Sequence, residues 1–341
     1  MTRHSPAEPD RALGALTGLA LGDALGMPTQ MMPREEVRRR WGTLPGLVAA
    51  PGDNEVSAGL PAGHVTDDTD QAVILGQLLV EGGGRVDPGA LADRLLAWEA
   101  DMVARGSADL LGPSTRRALE QVAAGAPPGT TGRWGDTDGA AMRIAPVGIA
   151  CPPEPLDRLV DLVAEAGRLT HDTTVANAGA AAVAAAVSAG VAGATVAEAT
   201  RFAVAAARAG TSRGHYVPGA DVATRIAWAT ELVGGAADPL DSVARLVGTG
   251  VATQEAVPAA FAVLALHPDD PWRACLAAAG LGGDSDTVAA MAGAVGGACH
   301  GAAALPRDAV ALLHAVNPDL GLAALAAGLL ALRARPAAGR P

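Results

Sequence analysis

The chain has 341 residues, half of them hydrophobic but only 2% aromatic, and a formal net charge of −11. The length suits one large domain or two ordinary ones, and the acidic balance argues against nucleic-acid binding through a basic surface. A core of Ala, Leu and Val with little Ile or aromatic content favours helices over sheets, so the expected fold is all-α.

Residues 1–10 are polar and hold Pro6 and Pro9, which reads as a disordered lead without a signal peptide. Arg11–Gly26 predicts a helix with Gly14, Gly18, Gly22 and Gly26 spaced by four. Interior glycine costs up to about 1 kcal/mol relative to alanine, whereas small residues at this spacing let two helix backbones approach closely. Gly293, Gly297 and Gly301 repeat the spacing late in the chain. Both stripes are therefore expected to be buried near the centre of the core. Asp23 lies on the first of them. It either bonds a backbone turn or orients a metal site from behind its ligands, and the sequence leaves both open.

Arg34–Arg40 reads as a short solvated helix, and Thr43–Gly63 as a Pro/Gly-rich loop of the length usually reserved for function. Thr66-Asp67-Asp68-Thr69-Asp70 then opens an apolar helix running to about Glu81. One or two of these groups would suffice as a helix cap. Five exceed that need, and packed carboxylates repel one another unless a proton or cation sits between them. Hard oxygen donors of this kind suit Mg²⁺, Mn²⁺ or Ca²⁺. Gly282-Gly283-Asp284-Ser285-Asp286-Thr287 repeats the arrangement before a second apolar helix. Facing each other, the two acidic helix starts would offer oxygens for two metal ions.

Between them, Pro88–Arg105 predicts a helix with Leu91, Leu95, Leu96 and Trp98 as core contacts, and Pro113–Ala124 another. Gly125–Gly139 is a glycine-dense loop entering a helix start at Ala140, a form able to cradle a phosphate or ribose with backbone N–H groups, or simply to connect. The helices predicted after it are Leu156–Leu169, Asp172–Ser188, Val196–Ala209, Asp221–Leu232, Ser242–Val247, Ala256–Leu266, Asp270–Ala279, Thr287–Gly301, Arg307–Val316 and Leu320–Ala334. The uncharged run Val175–Ala197 is long enough to cross a bilayer, but its Ala/Gly composition reads as a buried helix. Cys151, Cys275 and Cys299 are unpaired by motif and read as buried thiols of a reducing, cytoplasmic compartment. No Cys/His ligand spacing marks a zinc site. A single domain over 11–334, a loose tail over 335–341 and a monomer are expected.

Together these residues resemble the ADP-ribosylglycohydrolase family, which includes the dinitrogenase reductase-activating and ADP-ribosylarginine hydrolase enzymes. The resemblance rests on Gly22-Asp23-Ala24-Leu25-Gly26, Thr66-Asp67-Asp68-Thr69, Gly139-Ala140-Ala141-Met142-Arg143, Thr170-His171 and Gly282-Gly283-Asp284-Ser285-Asp286-Thr287, which occur in family order over almost the whole chain. It implies a compact all-α fold with a dinuclear Mg²⁺ or Mn²⁺ centre, and hydrolysis of the glycosidic bond at C1″ of an ADP-ribosyl group. By motif position Thr66, Asp67, Asp68, Asp284, Asp286 and Thr287 would hold the metals, with Asp67 and Asp68 also catalytic through the water they help activate. Gly135, Gly139, Ala140, Met142 and His171 would line the substrate cleft.

Two positions depart from the family pattern. Gln30 stands where many relatives carry Glu, and glutamine takes no proton as a carboxylate does; it would position substrate by hydrogen bonds. Asp138 stands where Asn is common, and its carboxylate could restore the missing base or disfavour a nearby phosphate. An N-ribosyl hydrolase acting on a free nucleoside or nucleotide is the alternative activity. A catalytically silent, crystallin-like member is the third reading, opposed by the four intact carboxylates of the two acidic blocks.

Overall fold

A computed structural model describes residues 7–107 and 111–335. Seventeen helices appear among them: α1 Glu8–Gly26, α2 Arg34–Trp41, α3 Asp67–Glu81, α4 Pro88–Ala104, α5 Pro113–Ala123, α6 Gly139–Met142, α7 Ala145–Ala150, α8 Leu156–Gly167, α9 Thr174–Val191, α10 Val196–Gly210, α11 Val222–Gly235, α12 Pro239–Ser242, α13 Thr253–Leu266, α14 Pro271–Ala279, α15 Ser285–His300, α16 Arg307–Val316 and α17 Leu322–Arg333. No β-strand occurs among the described residues. Two isolated bridges, Thr137 with Ala252 and Thr173 with His215, are the extent of β pairing there.

The glycine stripes meet as the spacing predicts. A Cβ added to Gly14, Gly18 or Gly22 would sit 2.0–2.4 Å from the carbonyl oxygens of Gly297, Gly293 and Ala289 in turn. The reciprocal clashes, Gly293 on the carbonyl of Gly18 and Gly297 on that of Gly14, are as tight. α1 and α15 thus run antiparallel with their backbones in contact, and both are buried over nearly their whole length. Gly301 plays a different part, ending α15 at φ 81°, a conformation glycine adopts at low cost.

α9 is buried along almost its whole length, packed by α7, α8, α10 and α15. Among the described residues it is the one helix long and apolar enough to cross a membrane, and 94% of that window is buried inside the protein. The uncharged run to Ala197 spans two elements, in line with the separate helices predicted over Asp172–Ser188 and Val196–Ala209. α9 ends at Val191, and Thr195 caps α10 reciprocally with Glu198. Arg11 neutralises the shared end of this core by donating to the carbonyls of Gly190, Ala298 and Cys299, at the C-termini of α9 and α15. All three cysteines are free and buried, as expected.

Some predicted boundaries and contacts differ. α1 begins at Glu8, inside the expected disordered lead. Pro9 falls in its first turn, where a missing N–H costs nothing, and Glu8 and Asp10 suit the helix dipole. Residues 1–6 of that lead and the tail beyond Arg335 lie outside the described residues. Leu96 is 38% exposed, whereas Leu91 and Leu95 are buried. α13 starts at Thr253 rather than Ala256 and carries Pro258 in its interior. Proline provides no N–H for the carbonyl four residues back, and Arg225 Nε donates to that Gln254 carbonyl instead, at 2.5 Å.

Candidate metal and active site

α1 gathers both acidic helix starts. Asp23 accepts hydrogen bonds from the Thr66 amide at 3.0 and 3.1 Å, from Thr66 Oγ1 at 2.8 Å, from the Thr69 amide at 3.1 Å and from Thr69 Oγ1. It therefore binds the free N–H groups of α3 from outside the helix, a task the sequence left open between turn anchor and orienter. Burial pushes the Asp23 carboxyl up to about 6, against the opposing effect of these donors. Three residues on, Gly26 lies against the first turn of α15: a Cβ there would be 2.4 Å from the Asp286 amide nitrogen and Cα. Ser285 Oγ donates to the Gly26 carbonyl at 3.1 Å and pairs with Thr29 Oγ1 at 2.9 Å.

With both starts fixed to one helix end, their side chains meet. Thr287 Oγ1 donates to Asp68 Oδ2 at 3.3 Å. Asp67, Asp68 and Asp284 are all pushed well above the usual carboxylate range. Burial is the first cause in each; the Asp286 charge comes second for Asp67 and Asp68, and the neighbouring Asp138 second for Asp284. Asp68 Oδ1, Asp138 Oδ2, Asp284 Oδ2 and Gln30 Nε2 are buried and find no hydrogen-bond partner, the condition most costly to a polar atom without a counter-charge or ligand. This donor set of carboxylates and threonine hydroxyls fits hard dications. Among the described residues no group of three or more Asp, Glu, His or Cys side chains stands at coordination spacing.

Arg143 is a buried cation beside this cluster. Its guanidinium donates to Gln71 Oε1 at 2.7 Å, and Gln71 Nε2 in turn donates to Asp67 Oδ2 at 2.6 Å. Burial lowers Arg143 to about 10, partly offset by Asp67. The arginine thus fixes one oxygen of Asp67 through a glutamine that the sequence reading passed over. Asp70, the last carboxylate of the first block, turns away and accepts from Trp98 Nε1 at 2.8 Å.

The sequence left the loop before α6 open between a phosphate or ribose cradle and a plain connection. Its glycines are packing devices: a Cβ on Gly135 would lie 1.9 Å from the Thr170 carbonyl oxygen, and one on Gly139 2.9 Å from His171 Cε1. His171 is enclosed by its neighbours. It has no exposed surface, meets Thr137 Oγ1 at 3.0 Å and Thr170 Oγ1 at 2.7 Å, and is pushed well below its ordinary pKa by burial, then by Arg143. Its ring packs against Gly139. Ala140 and Met142 are likewise buried.

One contributor was invisible in sequence. The segment 249–253 ties both sides of the cluster together: the Asp284 amide donates to the Thr249 carbonyl at 2.7 Å, the Asp138 amide to Val251 at 3.0 Å, and Thr253 Oγ1 to Asp136 at 2.8 Å. Arg225 holds it from below through the Val247 and Gln254 carbonyls. Room alone does not mark the site. A cavity of about 720 Å³ between α7, α8 and the Gly83–Arg85 turn is lined by none of these residues, and its Arg85 and Glu165 pair with each other at 2.8 Å.

Comparison with known proteins agrees with this architecture. The family model described as ADP-ribosylglycohydrolase matches residues 4–338. An uncharacterized protein, YegU, of Escherichia coli is 35% identical over 90% of this chain and 93% of its own. The ADP-ribosyl-[dinitrogen reductase] glycohydrolase of Rhodospirillum rubrum is 29% identical over 51% of this chain and 55% of its own. A solved chain titled "ADP-ribosylglycohydrolase-related protein complex" superposes with a TM-score of 0.67 at 29% identity, covering 95% of this chain and 98% of that one. With a family match over nearly its full length, the chain belongs to the ADP-ribosylglycohydrolase family, whose enzymes hydrolyse glycosyl bonds.

Proposed function

We propose that this protein is a metal-assisted hydrolase that cleaves the glycosidic bond at the ribose C1″ of an ADP-ribosylated substrate, with two Mg²⁺ or Mn²⁺ ions as its cofactor. The observation that carries the reading is the contact of Thr287 Oγ1 with Asp68 Oδ2, which joins the two acidic helix starts around buried carboxylate oxygens that have no partner. Thr66, Asp67, Asp68, Asp284, Asp286 and Thr287 would hold the ions. When bound, dications there would neutralise developing negative charge and bring water within reach of deprotonation near neutral pH.

The chain's own residues do the rest. Asp23 fixes the first turn of α3, so that Asp67 and Asp68 leave the helix at set positions. Arg143, through Gln71, orients Asp67. Gln30 keeps its buried amide Nε2 without a protein partner, as suits a donor reserved for a substrate oxygen. The extra buried carboxylate of Asp138 favours a second reading, a ribosyl substrate with no phosphate near this position, such as a nucleoside.

The test is turnover by purified protein, with Mg²⁺ or Mn²⁺, of ADP-ribosyl-arginine, ADP-ribosyl-serine, smaller ADP-ribose derivatives and common nucleosides, read by chromatography. Release of ADP-ribose from any of the first group supports the proposal. Turnover of nucleosides alone selects the second reading. No turnover of any compound, despite bound metal, would return the protein to a silent binding role.

A further inference from the structure

We infer that Asp138 is a metal-holding residue of the cluster, a carboxylate ligand added to the set supplied by the two acidic helix starts. The inference rests on the metal-assisted reading above.

Four observations lead there. Asp138 is only 4% exposed, and its Oδ2 finds no hydrogen-bond partner. Its carboxyl lies within hydrogen-bonding reach of the Asp284 carboxyl, and Asp286 and Asp67 are close enough to act on its charge. The side chain does not cap α6; the backbone carbonyl does that work, accepting from Ala141 at 2.7 Å and Met142 at 3.0 Å. The backbone is also pinned from the other side. Asp138 donates its amide to Val251, and Asp284 donates its amide to Thr249, so one short segment sets both carboxylates beside each other.

Two buried carboxyls in direct reach are stable in only two ways: one keeps a proton, or a cation lies between them. Asp138 abuts a ligand carboxylate and has an oxygen to spare. Asparagine at this position would keep one carbonyl oxygen and lose the charge. The carboxylate therefore adds to affinity for the ions, and it makes the neighbouring site more anionic whenever the ions are absent.

The test is Mn²⁺ titration of the full-length protein by calorimetry, with bound Mn²⁺ counted by electron paramagnetic resonance, for wild type, Asp138→Asn, Asp138→Ala and Asp70→Asn. Asp70→Asn also removes a nearby negative charge, but from a residue bonded to Trp98 outside the cluster. Expected results are two ions for wild type, and one ion weakened by about tenfold or more, a loss typical of groups that tune metal affinity, in both Asp138 variants. Asp70→Asn should shift affinity by much less. Unchanged Mn²⁺ stoichiometry and affinity in a folded Asp138→Asn protein overturns the inference, as does an equal loss in Asp70→Asn, which would reduce Asp138 to a source of field. Circular dichroism establishes folding, and the two Asp138 substitutions guard against one of them failing to fold. If wild type binds no Mn²⁺, the metal-assisted reading itself fails, a result separate from either outcome for Asp138.

Discussion

Two glycine-rich regions of this molecule invite the same explanation and use their glycines against different partners. Along α1 and α15 the glycines recur every four residues and let one helix backbone lie on another. In the loop over 125–139 the glycines follow no period, and two of them, Gly132 and Gly135, press the loop onto the turn at 168–172. In both places glycine marks a close approach of backbone to backbone. The period tells what approaches: a regular stripe needs a second regular element, whereas an irregular set fits an irregular surface. Neither region is a phosphate cradle by its glycines alone.

The sharpest way to break this comparison is to fill the stripe. Gly18→Leu forces a side chain into the Gly293 carbonyl, 2.2 Å from the Cβ position, with no side chain able to yield. The expected loss exceeds about 3 kcal/mol, the upper end for overpacked cores, and urea unfolding measures it. Near-wild-type stability would mean that α1 and α15 can part without cost. The next effect is confined to the ends of the same helices. Asp68→Ala and Asp286→Ala should each remove tight Mn²⁺ binding in calorimetry while the far-ultraviolet dichroism stays helical, because the acidic starts carry the proposed ligands and the stripes carry the fold. Retained stoichiometry in both variants would misplace the metal site.

In the loop, Gly135→Ala places a methyl 1.9 Å from the Thr170 carbonyl. A cost of about 1–3 kcal/mol is expected. Gly129→Ala, whose nearest neighbour is the Arg168 side chain at 3.6 Å, should stay within about 0.5 kcal/mol. Equal effects of the two would show that flexibility, not contact, is what this loop requires. The smallest catalytic effect is expected at Gln30, where Gln30→Ala should lower kcat/KM about tenfold, the worth of roughly one hydrogen bond. A loss of a thousandfold or more would make Gln30 central to the chemistry.

The helices, the stripes and the meeting of the two acidic starts were legible because each leaves a mark in side-chain type and spacing. Other parts of the site leave none. The segment 249–253 works through the carbonyls of Thr249 and Val251, which every residue possesses. His171 was legible as part of this neighbourhood but its depth was not, because Thr137 and Thr170 enclose its ring. Gln71 was legible only in hindsight, four residues after Asp67 on one helix face, where such pairs meet. Leu96 misled because one face of α4 is apolar beyond the width its neighbours cover.

The position of α1 also sets an order of events. Asp23 and Thr66 are 43 residues apart, so the first acidic helix start can dock early as the chain emerges. The Thr287 to Asp68 contact spans 219 residues and waits for α15, the kind of distant closure that slows folding. Until then each acidic start keeps its own water and counter-ions. Docking of α15 along α1 brings one set of negative charges against the other. If the site holds dications as proposed, dissolved Mn²⁺ should speed that docking, and refolding followed with and without Mn²⁺ checks it.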